Sequence, residues 1–303
     1  MTTERPLPLA QMRIRNRGYL LAFIGIFIFA LTMPVTRFVV SGEGSGSVSP
    51  TFTTFFRGLI AGVCSIGYLY WRQALTFPRA QLGALLVSAA GTVVGFPLLL
   101  SLGLVNATAV QGALVTGFLP LATAVMMSIY LGKKQTWPFW VCALAGFCLI
   151  LAFSILQDDG GFRPSDLYLI LAVFAASAGY VAGAKVSQAL SPSEAICWVL
   201  IVSLPLTMPV AFLTWPEQPV PTVVWFGLGY LGLFSMWLGF FAWYKGMVLA
   251  GAMAASQVQL LQPFVALLLS ALLLGEQLTL MTGLFALALI ATLFISKRVS
   301  LAN

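Results

Sequence analysis

Residues 257–276 read QVQLLQPFVALLLSALLLGE. The second half would dissolve in a bilayer, yet the first half carries Gln257, Gln259, Gln262 and Pro263 within seven positions. The stretch has a counterpart elsewhere in the chain. Moved back by 143 positions, 244–279 (YKGMVLAGAMAASQVQLLQPFVALLLSALLLGEQLT) lies over 101–136 (SLGLVNATAVQGALVTGFLPLATAVMMSIYLGKKQT) without a gap. Nine pairs are identical, among them Gly103/Gly246, Pro120/Pro263, Gly132/Gly275 and Thr136/Thr279. Apolar runs match by chance at some positions, but an in-register proline and terminal glycine are harder to obtain that way. The chain is therefore read as two copies of one unit.

Composition places both copies in a membrane. Of 303 residues, 60% are hydrophobic and 8% charged, whereas soluble domains are about a quarter charged. So few charges could not coat a water-soluble surface of this size. The formal net charge of +7 then reports topology rather than affinity for nucleic acid. There is no histidine, and Cys64, Cys142, Cys148 and Cys197 lie in apolar runs without metal-like spacing. They imply packing rather than a zinc site or a disulfide. The first long apolar run, from Tyr19, exceeds a signal-peptide core, so no cleavable leader is expected.

A span needs roughly 20 apolar residues. Ten runs qualify, near 19–41, 50–71, 82–103, 107–131, 137–156, 165–188, 193–214, 221–245, 251–274 and 278–296. Backbone groups in lipid must be satisfied internally, so these are helices. The predicted organisation is a segment 1–18, a first five-helix repeat 19–156, a connecting loop 157–164, a second five-helix repeat 165–296 and a tail 297–303. Five is odd, so the second repeat enters the membrane from the opposite side. With the N-terminus inside, inner segments hold twelve Lys and Arg, and outer segments hold two, Arg37 and Arg163. The positive-inside rule then puts both termini in the cytoplasm. The expectation is an all-α integral membrane protein: ten transmembrane helices, two inverted repeats, multi-pass in the cell's inner membrane.

Pro263 removes an amide hydrogen and crowds the preceding turn. Lipid tolerates such a break where neighbours or cavity water satisfy the freed carbonyl. Pro120 and Pro263 are therefore candidate hinges of helices that line a polar cavity. Gln257 is read as a cavity amide; Gln259 and Gln262 leave its helical face and are read as bonding neighbouring helices. Every Asp and Glu is assigned outside the spans, which leaves Arg57 as the one charge within them, either a packing cation or the partner of a substrate carboxylate. Trp237, Phe241 and Tyr244 follow i, i+4, i+7 and share a helical face, with Phe240 and Trp243 pointing elsewhere. Tyr180, Gln111, and Thr32 and Met33 beside Pro34 complete the expected cavity lining.

The stretch FAWYKGMVLAGAMAASQVQLLQPFVALLLSALLLGEQLT (241–279) resembles the EamA-type repeat of the drug/metabolite transporter superfamily. Its aromatic segment, small-residue helix start, mid-helix proline and terminal Gly-Glu carry the resemblance. TFFRGLIAG (54–62) resembles the family's arginine motif in the second helix. The resemblance implies ten helices in two inverted repeats and metabolite transport, usually export. Lys133 departs from the pattern, standing where the repeat's Glu would be.

These readings point to a secondary transporter that exports amino acids, aromatic ones foremost, by uniport-like alternating access through a near-neutral cavity. Another small metabolite or a drug is the alternative substrate, and a lipid-linked flippase or channel the less favoured class. An intramembrane enzyme lacks the inventory: no histidine, no HExxH, no paired carboxylates. The partners implied are a small-molecule substrate and the lipid bilayer, with no nucleic acid, cofactor or metal. The sequence leaves the oligomeric state open, a monomer being plausible.

Overall fold

The computed structural model describes residues 9–42, 47–132, 135–157, 161–250 and 258–301, and the elements within them are helices. Glu43, Lys133, Lys134, Asp158, Asp159 and Gln257 lie outside the described residues. In chain order the helices are α1 (Leu9–Ser41), α2 (Pro50–Trp71), α3 (Arg79–Leu104), α4 (Ala109–Thr116, continued by Leu119–Leu131), α5 (Trp137–Gln157), α6 (Pro164–Val186), α7 (Pro192–Leu213), α8 (Thr222–Ala250), α9 (Gln262–Leu274) and α10 (Leu280–Leu301). Among the described residues, eight helices are long and apolar enough to cross a membrane; the apolar stretches Gln262–Leu274 and Leu280–Ser296 are shorter.

Local chemistry sets the helix ends. Ser49 Oγ accepts from Phe52 N at 3.1 Å ahead of Pro50, and Thr108 Oγ1 accepts from Gln111 N at 3.0 Å at the start of α4. A first-turn proline loses no helical hydrogen bond, because that amide has no partner within the helix. Pro164 and Pro192 open α6 and α7 in this way. The repeat's paired glycines have a matching reason. Gly132 (φ +62°) and Gly275 (φ +68°) end α4 and α9 in the left-handed conformation that glycine adopts without a Cβ clash.

Two helices widen at equivalent places. α3 is π-helical over Ala89–Gly95 and α8 over Tyr230–Leu238. The offset of 143 carries 89–95 onto 232–238, so the wide turn is itself repeated. Such turns are frequent at functional sites.

Loops gather at two ends with different chemistry. One end exposes Arg72, Arg79, Lys185 and Lys245. The other is sealed. Leu104, Ala107, Ala109, Val110 and Leu114 are buried there in one continuous core with Val39, Phe52 and Leu228. Arg37 Nη1 donates to the carbonyls of Leu104 and Val105, both at 2.8 Å. The expectation that every acid lies outside the spans is corrected here. Glu194 sits in the first turn of α7, and Asp166 sits in the first turn of α6 and is fully buried. It is tolerated because one oxygen accepts from Arg163 N at 2.8 Å and the other from the Gln111 side chain, in the turn where the helix dipole favours an anion.

Candidate functional site

The spans enclose a central cavity of about 570 Å³. Ile26, Phe29, Thr32 and Met33 line it from α1, Arg57 from α2, and Thr92 and Phe96 from α3. α4 contributes Thr116, Leu119, Pro120 and Thr123, spaced i, i+3, i+4, i+7 along one helical face. Tyr180 and Ala184 of α6 follow, with Ser187 and Pro192 where the cavity reaches the Lys/Arg-bearing end. α8 supplies Ser235, Met236, Phe240, Trp243, Tyr244 and Met247, and the approach to α9 supplies Gln259, Leu260 and Gln262.

The sequence repeat maps one wall of this cavity onto the other. The 143-residue offset carries Thr116 onto Gln259, Leu119 onto Gln262 and Pro120 onto Pro263. Both prolines stand in the first turn of a helical segment, Leu119–Leu131 and Gln262–Leu274. They are not kinks inside unbroken helices. Neither proline ring can offer the amide that would bond the carbonyl four residues back. Those carbonyls belong to Thr116 and Gln259, both on the cavity wall.

Arg57 lies deepest in chemical terms. Its side chain is buried yet borders the cavity. Nη2 donates to Ser235 Oγ at 3.0 Å, and Ser235 Oγ shares a 2.8 Å hydrogen bond with Thr32 Oγ1. This chain ties α2, α8 and α1 together. Nε and Nη1 of Arg57 have no hydrogen-bond partner. Asp and Glu are absent from the described residues that line the cavity.

Thr32, Met33, Arg57, Pro120, Tyr180 and Tyr244 thus meet at one cavity, and Pro263 borders its narrow extension beside Gly117 and Leu293. Five expected positions are corrected. Gln111 is buried at the sealed end, bonded to Asp166. It lies five residues before Thr116, roughly 140° around an α-helix from the cavity face. Trp237 and Phe241 face α2, with Tyr68 at ring-centroid distances of 6.3 and 4.8 Å. The cavity face of α8 belongs to Phe240, Trp243 and Tyr244 instead. Met236, Phe240, Trp243 and Met247 follow i, i+4, i+7, i+11 and form the face that α8 turns to the cavity. Gln259 and Gln262 were expected between helices, and they line the cavity. The turn before α9 is tight, with Leu261 N bonded to Val258 O at 3.0 Å. In such i→i+3 geometry residues three apart eclipse, which aligns 259 with 262.

A model of the EamA-like transporter family matches residues 16–155 and again residues 163–297. An uncharacterized transporter of Bacillus subtilis (strain 168), YdeK, is 37% identical over 270 residues, covering 88% of this chain and 92% of that protein. A protein of solved crystal structure is 19% identical, with a TM-score of 0.62 over 94% of this chain and 98% of its own; that likeness shows the fold alone. Two successive matches to one transporter repeat, on an all-helical fold of apolar spans around a cavity, make this a multi-pass membrane transporter that belongs to the EamA-like transporter family.

Proposed function

We propose that the chain exports amino acids, aromatic ones foremost, by alternating access across the inner membrane. The chain as a whole resembles the aromatic amino acid exporter YddG of the drug/metabolite transporter superfamily. The observation that carries the reading is Arg57. A buried cation without a counter-charge is costly, and two of its donors are unused. A substrate carboxylate supplies what the site lacks, because guanidinium and carboxylate match in planar, two-point geometry. The rings of Phe29, Phe240, Trp243 and Tyr244 offer an apolar wall for a large side chain. The carbonyls of Thr116 and Gln259, which the prolines leave without an i+4 amide, are acceptors suited to an ammonium group.

The Lys/Arg-bearing end faces the cytoplasm in this reading, with both termini inside. A reporter fused after Asn303 should then be cytoplasmic, and a tag at Gly44 should be labelled on intact cells. Labelling of Gly44 only after permeabilisation would reverse the orientation. With no acid on the described cavity wall, the substrate's own gradient drives transport. Pro120 and Pro263 act as paired hinges.

In proteoliposomes, labelled phenylalanine, tyrosine or tryptophan should move saturably down its gradient with no imposed pH gradient. No saturable flux of any of the three would overturn the substrate assignment. Uphill accumulation that collapses with a protonophore would overturn uniport. Pro263→Ala should slow this flux with little loss of thermal stability, and an unchanged rate would remove the hinge role.

A further inference from the structure

The start of α4 is tied down at the sealed end by both repeats. Glu276, just past the end of α9, accepts from Ala109 N through Oε1 and from Val110 N through Oε2, both at 2.7 Å. Thr108 Oγ1 accepts the third first-turn amide, that of Gln111, at 3.0 Å. The Gln111 side chain donates to Asp166. Every amide of that first turn is therefore satisfied, two of them by an anion placed where the helix dipole favours it. Charge-assisted bonds of this kind are the strong ones, and they lose little to competing water in a half-buried site. Glu276 and Ala109 belong to opposite repeats, so any motion that separates the repeats at this end must break both bonds.

The inverted repeat asks for the same arrangement at the opposite end, and the sequence lacks it. The offset that pairs Pro120 with Pro263 places Gly251 opposite Thr108, Ala254 opposite Gln111 and Lys133 opposite Glu276. Glycine and alanine have no polar side chain, and a lysine ammonium donates but accepts nothing. Each polar side chain in the set has a counterpart that cannot do its work.

We propose that Glu276 is a one-sided latch, and that its replacement by Lys133 in the first repeat biases the empty carrier toward opening at the Lys/Arg-bearing end. Among the described residues the core closes the Glu276 end, and the cavity lining reaches Ser187 and Pro192 at the other. This rests on the transport reading above and adds a direction to it. An empty carrier that resets toward the side from which it loads is suited to export.

Accessibility tests the latch without any substrate. Ala113, on α4, is buried. In a chain whose four native cysteines are replaced, Ala113→Cys is labelled with a membrane-impermeant maleimide from the outer face of intact cells. Glu276→Ala is expected to raise the labelling rate about tenfold, the size of effect that losing hydrogen bonds to a charged group allows. Glu276→Gln keeps the shape and one acceptor, and should give a smaller rise, which also serves if the alanine variant does not fold. Lys133→Glu restores an acceptor to the first repeat and should raise outer labelling too. Unchanged labelling in the Glu276 variants overturns the latch. Unchanged labelling in Lys133→Glu overturns the asymmetry. A failure of the transport reading would appear instead as absent flux in the native chain with these rates unaffected.

Discussion

Arg57→Gln is expected to lower transport of an aromatic amino acid about a hundredfold, since hydrogen bonds to a charged partner are worth about 1.5–3 kcal/mol and a two-point pair uses more than one. The side chain already bonds Ser235 Oγ at 3.0 Å, and glutamine can retain a bond of that kind. What it loses is the charge and the unused Nε and Nη1 donors. The variant should therefore stay folded, with a melting temperature near that of the native chain. Removing an uncompensated buried charge can even stabilise it. Arg57→Lys should keep part of the activity, because an ammonium attracts a carboxylate without matching it at two points. The decisive comparison uses a substrate without a carboxylate. The native protein should prefer phenylalanine to phenethylamine, and Arg57→Gln should lose that preference. A variant that lost transport of both equally, or that lost its fold, would make Arg57 a packing cation instead.

Gly91→Ala is expected to cost substantial stability beside the cavity, where a single methyl would meet main chain on a neighbouring helix. A Cβ at 91 would lie 2.5 Å from the carbonyl oxygen of Ala175 and 2.7 Å from the backbone of Gly179. Both obstacles are main chain of α6, so no side chain can rotate away. Overpacking of this kind costs about 1–3 kcal/mol, and backbone obstacles put the cost at the upper end. The damage should reach the cavity, because Thr92 and Tyr180 adjoin Gly91 and Gly179 in sequence and line it. Gly83→Ala is the control, since nothing lies within 4 Å of a Cβ there. Thermal unfolding in detergent should separate the two by several degrees. Equal melting temperatures would show that α3 and α6 are not held as closely as this packing requires.

Length, composition and order along the chain determined the membrane class, the helical spans and the twofold repeat, because each depends only on what lies next to what in sequence. Lipid leaves the backbone no alternative to helices, and a proline and a glycine kept in register betray duplication whatever surrounds them. The positions of Thr32, Met33, Arg57, Tyr180 and Tyr244 on one cavity could be reached from polarity, proline and aromatic patterning within a span. Which way each helix turns about its own axis could not. The aromatics of α8 share their hydrophobicity, and only packing against α2 separates Trp237 and Phe241, set on Tyr68, from Phe240 and Trp243 on the cavity. Gln259 and Gln262 changed roles for a similar reason, a tight turn ahead of α9. Asp166 reads as a loop acid until Gln111, 55 positions away, is folded against it. Glu276 reads as a helix-end residue until the first turn of α4 arrives, 166 positions away, to be capped by it. Rotational phase and partnership between distant segments are set by packing, and packing exists only in three dimensions.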